Sequence, residues 1–378
     1  MRLSSVQKAR LATNTLFFTN GLCFASWASR IPDIKEHLHL GDAALGTILF
    51  AAPIGSLVAL PLAGVIIHKY GSRKIALFST LFYLVAMPYM GLANSPLALV
   101  AALFIFGFGG DLLNISMNVQ AVNVEKTLAR SIMSSFHAVF SIGFMLGAAL
   151  GGVFSTQAIV PAIHLSVMGI FTFLIGLSTY SFLFKQDQQS NTNQPLFALP
   201  DKSLILLSII CFCGMLCEGA MADWSVLYYK QVLKNPTGFV TAGFTAFSVA
   251  MVLGRLGGDV LVSKIGLRKT LIFNCLLLVF GMSLALVLPI AGLVVFGFGI
   301  TGLGLSTIVP LIYSQAGHSK TMSAGVALAA ISTVGIGGFL IGPVIIGYIS
   351  EFTSLRTALA GLIGLGVLGA LLSWRIKE

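Results

Sequence analysis

Apolar residues fill this chain in runs of about twenty or more, and short polar segments separate the runs. Twelve runs stand out, at approximately 9–30, 43–67, 74–93, 96–121, 132–155, 162–184, 203–229, 238–262, 268–289, 291–314, 322–347 and 355–374. A helix needs about 20 predominantly apolar residues to cross the hydrocarbon core of a bilayer. Backbone groups in that core must be satisfied internally, so each run is expected to be a spanning helix. Most connections are under a dozen residues. The exception, Lys185–Lys202, is polar and without apolar periodicity, and it divides the chain near its middle. It reads as a flexible linker between two six-helix halves, 1–184 and 203–378.

Composition narrows the class further. Of the 378 residues, 57% are hydrophobic and 9% charged, against about 25% charged in a soluble domain. The mean hydropathy is +0.96. The expectation is an all-α, multi-pass membrane protein whose environment is the lipid bilayer. The net charge of +10 is no nucleic-acid footprint, because the cations sit in short connections. With both termini inside, sixteen of the 22 Lys and Arg fall in inner segments and four in outer ones. That bias predicts cytoplasmic termini in a bacterial-type inner membrane. The five cysteines all lie in spans and are expected as free thiols. Cys213 and Cys217 are i,i+4 but lack further ligands, so no metal site is expected. No phosphate-binding loop and no nucleophile elbow is visible, which argues against an enzyme or an ATP-driven pump. No cofactor is expected, and nothing requires more than a monomer.

The halves repeat. Gly71-Ser72-Arg73-Lys74 matches Gly266-Leu267-Arg268-Lys269 at an offset of 195 residues, as Gly143 and Gly147 match Gly338 and Gly342. Phe106-Gly107-Phe108-Gly109 recurs as Phe296-Gly297-Phe298-Gly299, and Trp27 matches Trp224. Both copies start on the same side, so the duplication is parallel. Such duplications place substrate sites near the bilayer midplane. Gly143, Gly147 and Gly151 in span 5, and Gly335, Gly338 and Gly342 in span 11, let helices approach closely. Those faces are expected to slide if the halves rock.

Polar residues inside the spans are the candidate chemistry. Cys217–Trp224 carries two carboxylates, Glu218 and Asp223, in an apolar run. A carboxylate at the centre of a spanning helix costs roughly 2.5–3.5 kcal/mol on insertion scales, and such acids mark proton relays, cavities or ion pairs. The two are about 140° apart on a helix, so they point at different spots. Asp111, Asn114 and Asn118 share one face of span 4 at spacings of three and four. That stripe reads as a cavity lining, with interhelix hydrogen bonding as the alternative. Asn20 in span 1, His137 in span 5 and Trp224 complete the candidate substrate contacts. Arg30 and Asp33 are placed to pair at an interface. Arg255 and Asp259 form an i,i+4 pair with a structural or gating role.

Twelve spans, a mid-chain linker and a repeated Gly-x-Arg-Lys loop resemble the major facilitator superfamily. Its loop signature is matched from Gly64 through His68 to Gly71 and Arg73, except that His68 stands where the family has Asp. The resemblance implies that Gly64, His68, Gly71 and Arg73 belong to a loop that latches one conformation, weakened here by the missing acid. Trp27–Ile34, Met117–Gln120 and Glu218–Ser225 further resemble the YbjJ-type bacterial inner-membrane proteins, relatives of the fucose permease group. In those relatives an acid precedes by four the Asn that matches Asn118. Here that position is Asn114, and Asp111 lies one turn earlier. The resemblance implies a secondary transporter of a small polar solute such as a sugar or polyol, with protons carried by Glu218, Asp111 or Asp223. An exporter of amphipathic or cationic compounds is the alternative within transport, and a non-transporting receptor or scaffold the alternative outside it.

Overall fold

In a computed structural model most of the described residues are helical, and no strand occurs among them. The structure describes residues 4–129, 132–187, 199–232, 239–317, 319, 321–322 and 324–376. Most of the linker (188–198) therefore lies outside the described residues, as do the basic residues Arg2, Arg130, Lys234, Lys320 and Lys377. Among the described residues fourteen helices follow in order: α1 (Ser5–His37), α2 (Asp42–Leu49), α3 (Ala51–Tyr70), α4 (Ser72–Gly91), α5 (Pro96–Leu128), α6 (Met133–Thr156) and α7 (Pro161–Tyr180); then α8 (Ile205–Val232), α9 (Ala242–Ile265), α10 (Leu267–Val287), α11 (Ala291–Leu305), α12 (Ile308–Gly317), α13 (Ala324–Phe352) and α14 (Leu355–Trp374).

These correspond to the twelve expected spans with two of them broken. Proline explains both breaks. A proline cannot donate to the carbonyl four residues earlier, and its ring crowds that carbonyl. Pro53 acts on Leu49, where α2 ends before α3. Pro310 acts on Ser306, where α11 gives way to α12. Among the described residues ten stretches are long and apolar enough to cross a membrane, counting each broken pair as one; α9 adds a shorter apolar stretch at Ala242–Gly258, and α1, the first expected span, is not one of the ten. The outward faces are greasy. On α7, Ile163, Val167, Ile170, Leu174 and Leu177 are exposed at helical spacing, while His164, Met168, Thr172 and Gly176 on the other side are buried. An exposed face that apolar suits lipid rather than water.

The chain divides into two compact units. Unit 1 is Met1–His39 with Ala51–Thr192, and unit 2 is Leu40–Phe50 with Asn193–Glu378. In unit 1, α1 packs on α6 and α7, α5 on α3 and α4, and α4 on α7. In unit 2, α8 packs on α13 and α14, α11 on α9 and α10, and α10 on α14. The pairings correspond helix for helix, as the sequence repeat requires. The repeated loops share one local solution as well. Gly71 and Gly266 both adopt positive φ (85° and 82°) between consecutive helices, a conformation that suits glycine alone. Arg73 then lies over the Tyr180 ring, 4.0 Å to the centroid, and Arg268 over Trp374 at 5.3 Å.

Unit 2 also takes in α2. Gly46 sits against the Pro343 carbonyl and the Gly347 backbone of α13. Ser350 donates to Asp42, and the Ala43 N–H donates to Glu351 Oε2 at 3.2 Å. A carboxylate is well placed at a helix N-terminus, where free N–H groups and the helix dipole meet it.

The glycine faces expected to slide are instead packing faces inside each unit. Gly143 and Gly147 bring α6 against the α1 backbone at Phe18 and Leu22, and Gly338 brings α13 against Phe212 and Leu216 of α8. A methyl group on Gly338 would lie 2.5 Å from the Phe212 carbonyl oxygen and 2.8 Å from the Leu216 nitrogen, whereas nothing lies within 4 Å of one on Gly64. Gly338→Ala is therefore expected to cost about 1–3 kcal/mol by overpacking. Gly64→Ala should be neutral or stabilising by up to about 1 kcal/mol through helix propensity. Thermal unfolding in detergent checks the contrast.

Candidate functional site

In unit 1 the polar stripe of α5 is real. Asn118 Nδ2 donates to the Asn114 backbone carbonyl (2.8 Å) and to Asn114 Oδ1 (3.0 Å), and Asn114 also hydrogen-bonds Asp111. All three side chains are half-buried. Asp111 Oδ2 is enclosed and finds no hydrogen-bond partner among the described residues. From α1, Asn20 joins this end of the stripe: Tyr83 of α4 donates to Asn20 Oδ1 at 2.5 Å, and Asn20 Nδ2 lies 4.0 Å from Met117 Sδ. Tyr83 was not anticipated as a site residue. Its position beside Gly110, where a methyl group would meet the phenol oxygen at 2.9 Å, is what glycine at 110 permits. His137 on α6 is exposed and meets the Phe17 ring edge-on at 5.3 Å. Arg30 and Asp33 pair as their spacing suggests, at 3.0 Å, and Arg30 also donates to the Ile159 carbonyl at 2.5 Å.

One end of α5 holds a network that the sequence concealed. Gln120, Asn123 and Ser72 are buried. Gln120 donates to Ser72 Oγ (2.7 Å) and to the Phe184 carbonyl (3.0 Å), and accepts from the Phe184 N–H (2.9 Å). Asp187 accepts from the Ser72 N–H (2.7 Å), the Ser72 hydroxyl (2.5 Å) and Asn123 Nδ2 (3.0 Å). Asp187 thus caps α4 and clips the start of the linker onto unit 1. The stretch was expected to be flexible from Lys185, and this part of it is held. Around the clip, Gly71 supplies the turn and Arg73 stacks on Tyr180, while His68 and Gly64 are exposed.

Unit 2 is built around α8. It is the most enclosed of the apolar stretches, with 72% of its apolar window buried against 22–56% for the others. Between residues 210 and 229 only Phe212, Met215, Glu218 and Asp223 keep partial exposure, within one arc of the helix. Glu218 Oε1 accepts from Arg255 Nη2 of α9 at 3.2 Å, and the two side chains are 26% and 23% exposed. Arg255 Nε donates to the Ser306 carbonyl at 3.3 Å. That carbonyl is the one Pro310 releases from the helix ladder. Two glycines bring α9 to the break, since side chains at 254 and 258 would strike Ser306 and Thr307. Asn274 of α10 donates to Thr307 Oγ1 at 2.6 Å. Tyr313 of α12 is half-buried, accepts from Ser332 of α13 at 3.1 Å and lies within electrostatic reach of Glu218.

The expected local partner of Arg255 was Asp259, whose side chain lies outside the described residues. Among the described residues Arg255 makes an ion pair across helices, to Glu218. Asp223 is half-buried five residues further along α8. Trp224 is fully buried, and its indole N–H finds no hydrogen-bond partner among the described residues.

A family model described as Major Facilitator Superfamily matches residues 14–334. The chain belongs to the major facilitator superfamily. It is 33% identical over 351 residues to an uncharacterized MFS-type transporter of Yersinia pestis, covering 92% of this chain and 91% of the relative. It is 32% identical over 345 residues to an uncharacterized transporter of Sinorhizobium fredii, covering 90% of each. The crystal structure of the nucleoside transporter NupG matches the fold with a TM-score of 0.75 at 16% identity, covering 98% of this chain and all of that one. The chain is accordingly a transporter-family membrane protein of the major facilitator fold, and not an enzyme.

Asp187→Ala removes three hydrogen bonds to a carboxylate, and bonds of that kind contribute about 1.5–3 kcal/mol each when buried and less when part-exposed, as here. The variant is expected to melt at lower temperature and to be cut faster by trypsin after Lys185. Limited proteolysis with mass detection of the fragments reads this directly.

Proposed function

We propose that this major facilitator protein is a secondary active transporter of a small polar solute, a sugar, polyol or related metabolite, driven by protons through alternating access. It works in a bacterial-type inner membrane with both termini in the cytoplasm. The carrying observation is the Glu218–Arg255 ion pair, part-exposed on the most enclosed helix of unit 2. Charges in such a position are costly. A pair that only locked helices would be better sealed.

The physical logic follows from desolvation. With Glu218 ionised, the pair is neutral overall. With Glu218 protonated, the attraction is lost and Arg255 keeps the Ser306 carbonyl. A change of one proton thus alters which groups α8 and α9 hold, and that supplies a two-state element. In unit 1 the amides of Asn20, Asn114 and Asn118 offer donors and acceptors suited to solute hydroxyls, with His137 as a further contact. Asp111 is a second carboxylate for proton exchange, enclosed at the head of the stripe. Asp223 and Trp224 are assigned supporting roles on α8.

Glu218→Gln keeps the hydrogen-bonding shape and removes the titration. In proteoliposomes it is expected to abolish accumulation driven by a pH gradient while sparing exchange of internal for external solute. Accumulation at the wild-type level would remove Glu218 from the coupling step.

A further inference from the structure

Between α10 and α14, both in unit 2, lies a groove that transport does not use. At one end the two helices touch through glycine. A methyl group on Gly366 would lie 2.8 Å from Val279 Cγ2, and one on Gly369 would lie 2.9 Å from Cys275 Sγ. Toward the last turn of α10 and the first turn of α14 a groove of about 540 Å³ opens, within the roughly 300–1,000 Å³ of small-ligand clefts. Its walls are apolar, from Leu286 of α10 and Ala360 and Ile363 of α14. Ser354, Arg356 and Thr357 stand where α14 begins.

That polar end is cationic. Arg356 is exposed, and its Nη2 donates to the Val287 carbonyl at 2.9 Å. Val287 is the last residue of α10, and carbonyls of a last helical turn have no partner within the helix. The contact therefore holds the guanidinium across the groove without neutralising it. Among the described residues Arg356 has no carboxylate partner, and its Nε and Nη1 make no hydrogen bond. The nearest acid in sequence, Glu351, accepts from the Ala43 N–H of α2 instead. Ser354 already caps the start of α14 through the Thr357 N–H at 3.1 Å, so the cation rather than the helix end carries the site. Away from Arg356 the surroundings turn greasy. Val287, Leu288 and Ile290 beside the groove are exposed, as are Val367, Leu368 and Leu371 further along α14. A cation at one end and an acyl-compatible trough at the other are the complement of an amphiphile with an anionic head.

We propose that this groove binds one anionic phospholipid, its phosphate on Arg356 and an acyl chain against Leu286, Ala360 and Ile363. An arginine in the first turn of a spanning helix sits at headgroup depth, where lipid does offer a partner. Guanidinium and phosphate match in two-pronged geometry. A zwitterionic head would bring its own ammonium beside Arg356, and a phosphate without chains would leave the trough unfilled. Such a site depends on the bilayer around the chain and not on the identity of the solute.

The test titrates the purified full chain, in an uncharged detergent, with dioleoyl phosphatidylglycerol, dioleoyl phosphatidylcholine or glycerol 3-phosphate. Native mass spectrometry counts the bound molecules. The first phosphatidylglycerol should bind roughly fivefold more tightly than the first phosphatidylcholine, the effect of one arginine on an anionic lipid. That preference should be lost in Arg356→Gln and partly kept in Arg356→Lys, which retains charge without the fork. Ala360→Phe fills the trough and leaves the cation, and should weaken binding of phosphatidylglycerol. Equal affinity for the two phospholipids in the wild type would overturn the proposal, and that comparison needs no variant to fold. An undiminished preference in Arg356→Gln, or an unaffected first adduct in Ala360→Phe, would overturn it as well. Glycerol 3-phosphate binding as tightly as phosphatidylglycerol would rule out lipid as the occupant and leave a site for free anions.

Discussion

Every charge and every freed backbone carbonyl in a bilayer-spanning bundle must find its partner within the bundle, because lipid offers none. Unit 2 is arranged around that constraint. Pro310 releases the Ser306 carbonyl, Arg255 Nε takes it up, and Glu218 answers the arginine's charge. Gly254 and Gly258 make the approach possible by leaving room for Ser306 and Thr307. A broken helix, an arginine and an acid are therefore one feature, and each member would be costly without the others. The same rule acts where the chain leaves the bundle in unit 1, where Asp187 and Gln120 satisfy the start of α4 and the backbone at Phe184.

Duplication sets the frame and the chemistry departs from it. Both units pair their helices in the same pattern, turn at a positive-φ glycine and stack the following arginine on an aromatic ring of the last helix. Within that shared frame, unit 1 carries an uncharged amide stripe with one enclosed acid, and unit 2 carries an ion pair at a helix break.

Much of this was legible in the residues. Runs of about twenty apolar positions located most of the spans within a few residues, since hydrophobic length is dictated by bilayer thickness, while α1 and α5 run on seven residues past the expected ends at 30 and 121. Gly71 and Gly266 were legible because a special backbone angle leaves a glycine behind. Arg30–Asp33 and the Asp111–Asn114–Asn118 stripe were legible because their partners lie one helical turn away. What escaped involved distant partners. Spacing suggested Asp259 for Arg255, a pairing that falls outside the described residues, and it gave no sign of Glu218, 37 residues earlier, which tertiary packing brings to the same guanidinium. Asp187 sits in a polar stretch whose composition suggests flexibility, and only the buried Ser72 and Asn123 show that it is held. The glycine rows looked alike whether they joined helices within a unit or served a sliding face, and neighbours rather than spacing decided for packing. The two helix breaks were present in principle, in Pro53 and Pro310, four residues after the carbonyls they release.

Glu218 and Arg255 act as a pair inside unit 2, and a double-mutant cycle on thermal stability addresses that dependence most directly. The variants are Glu218→Gln, Arg255→Gln and the two combined, unfolded in the same detergent. Removing one partner strands the other charge in an enclosed place, while removing both leaves two neutral groups. Each single change is expected to lower the melting temperature, and the double variant to recover most of the loss. Losses that simply add would mean the two residues do not depend on each other and would contradict it.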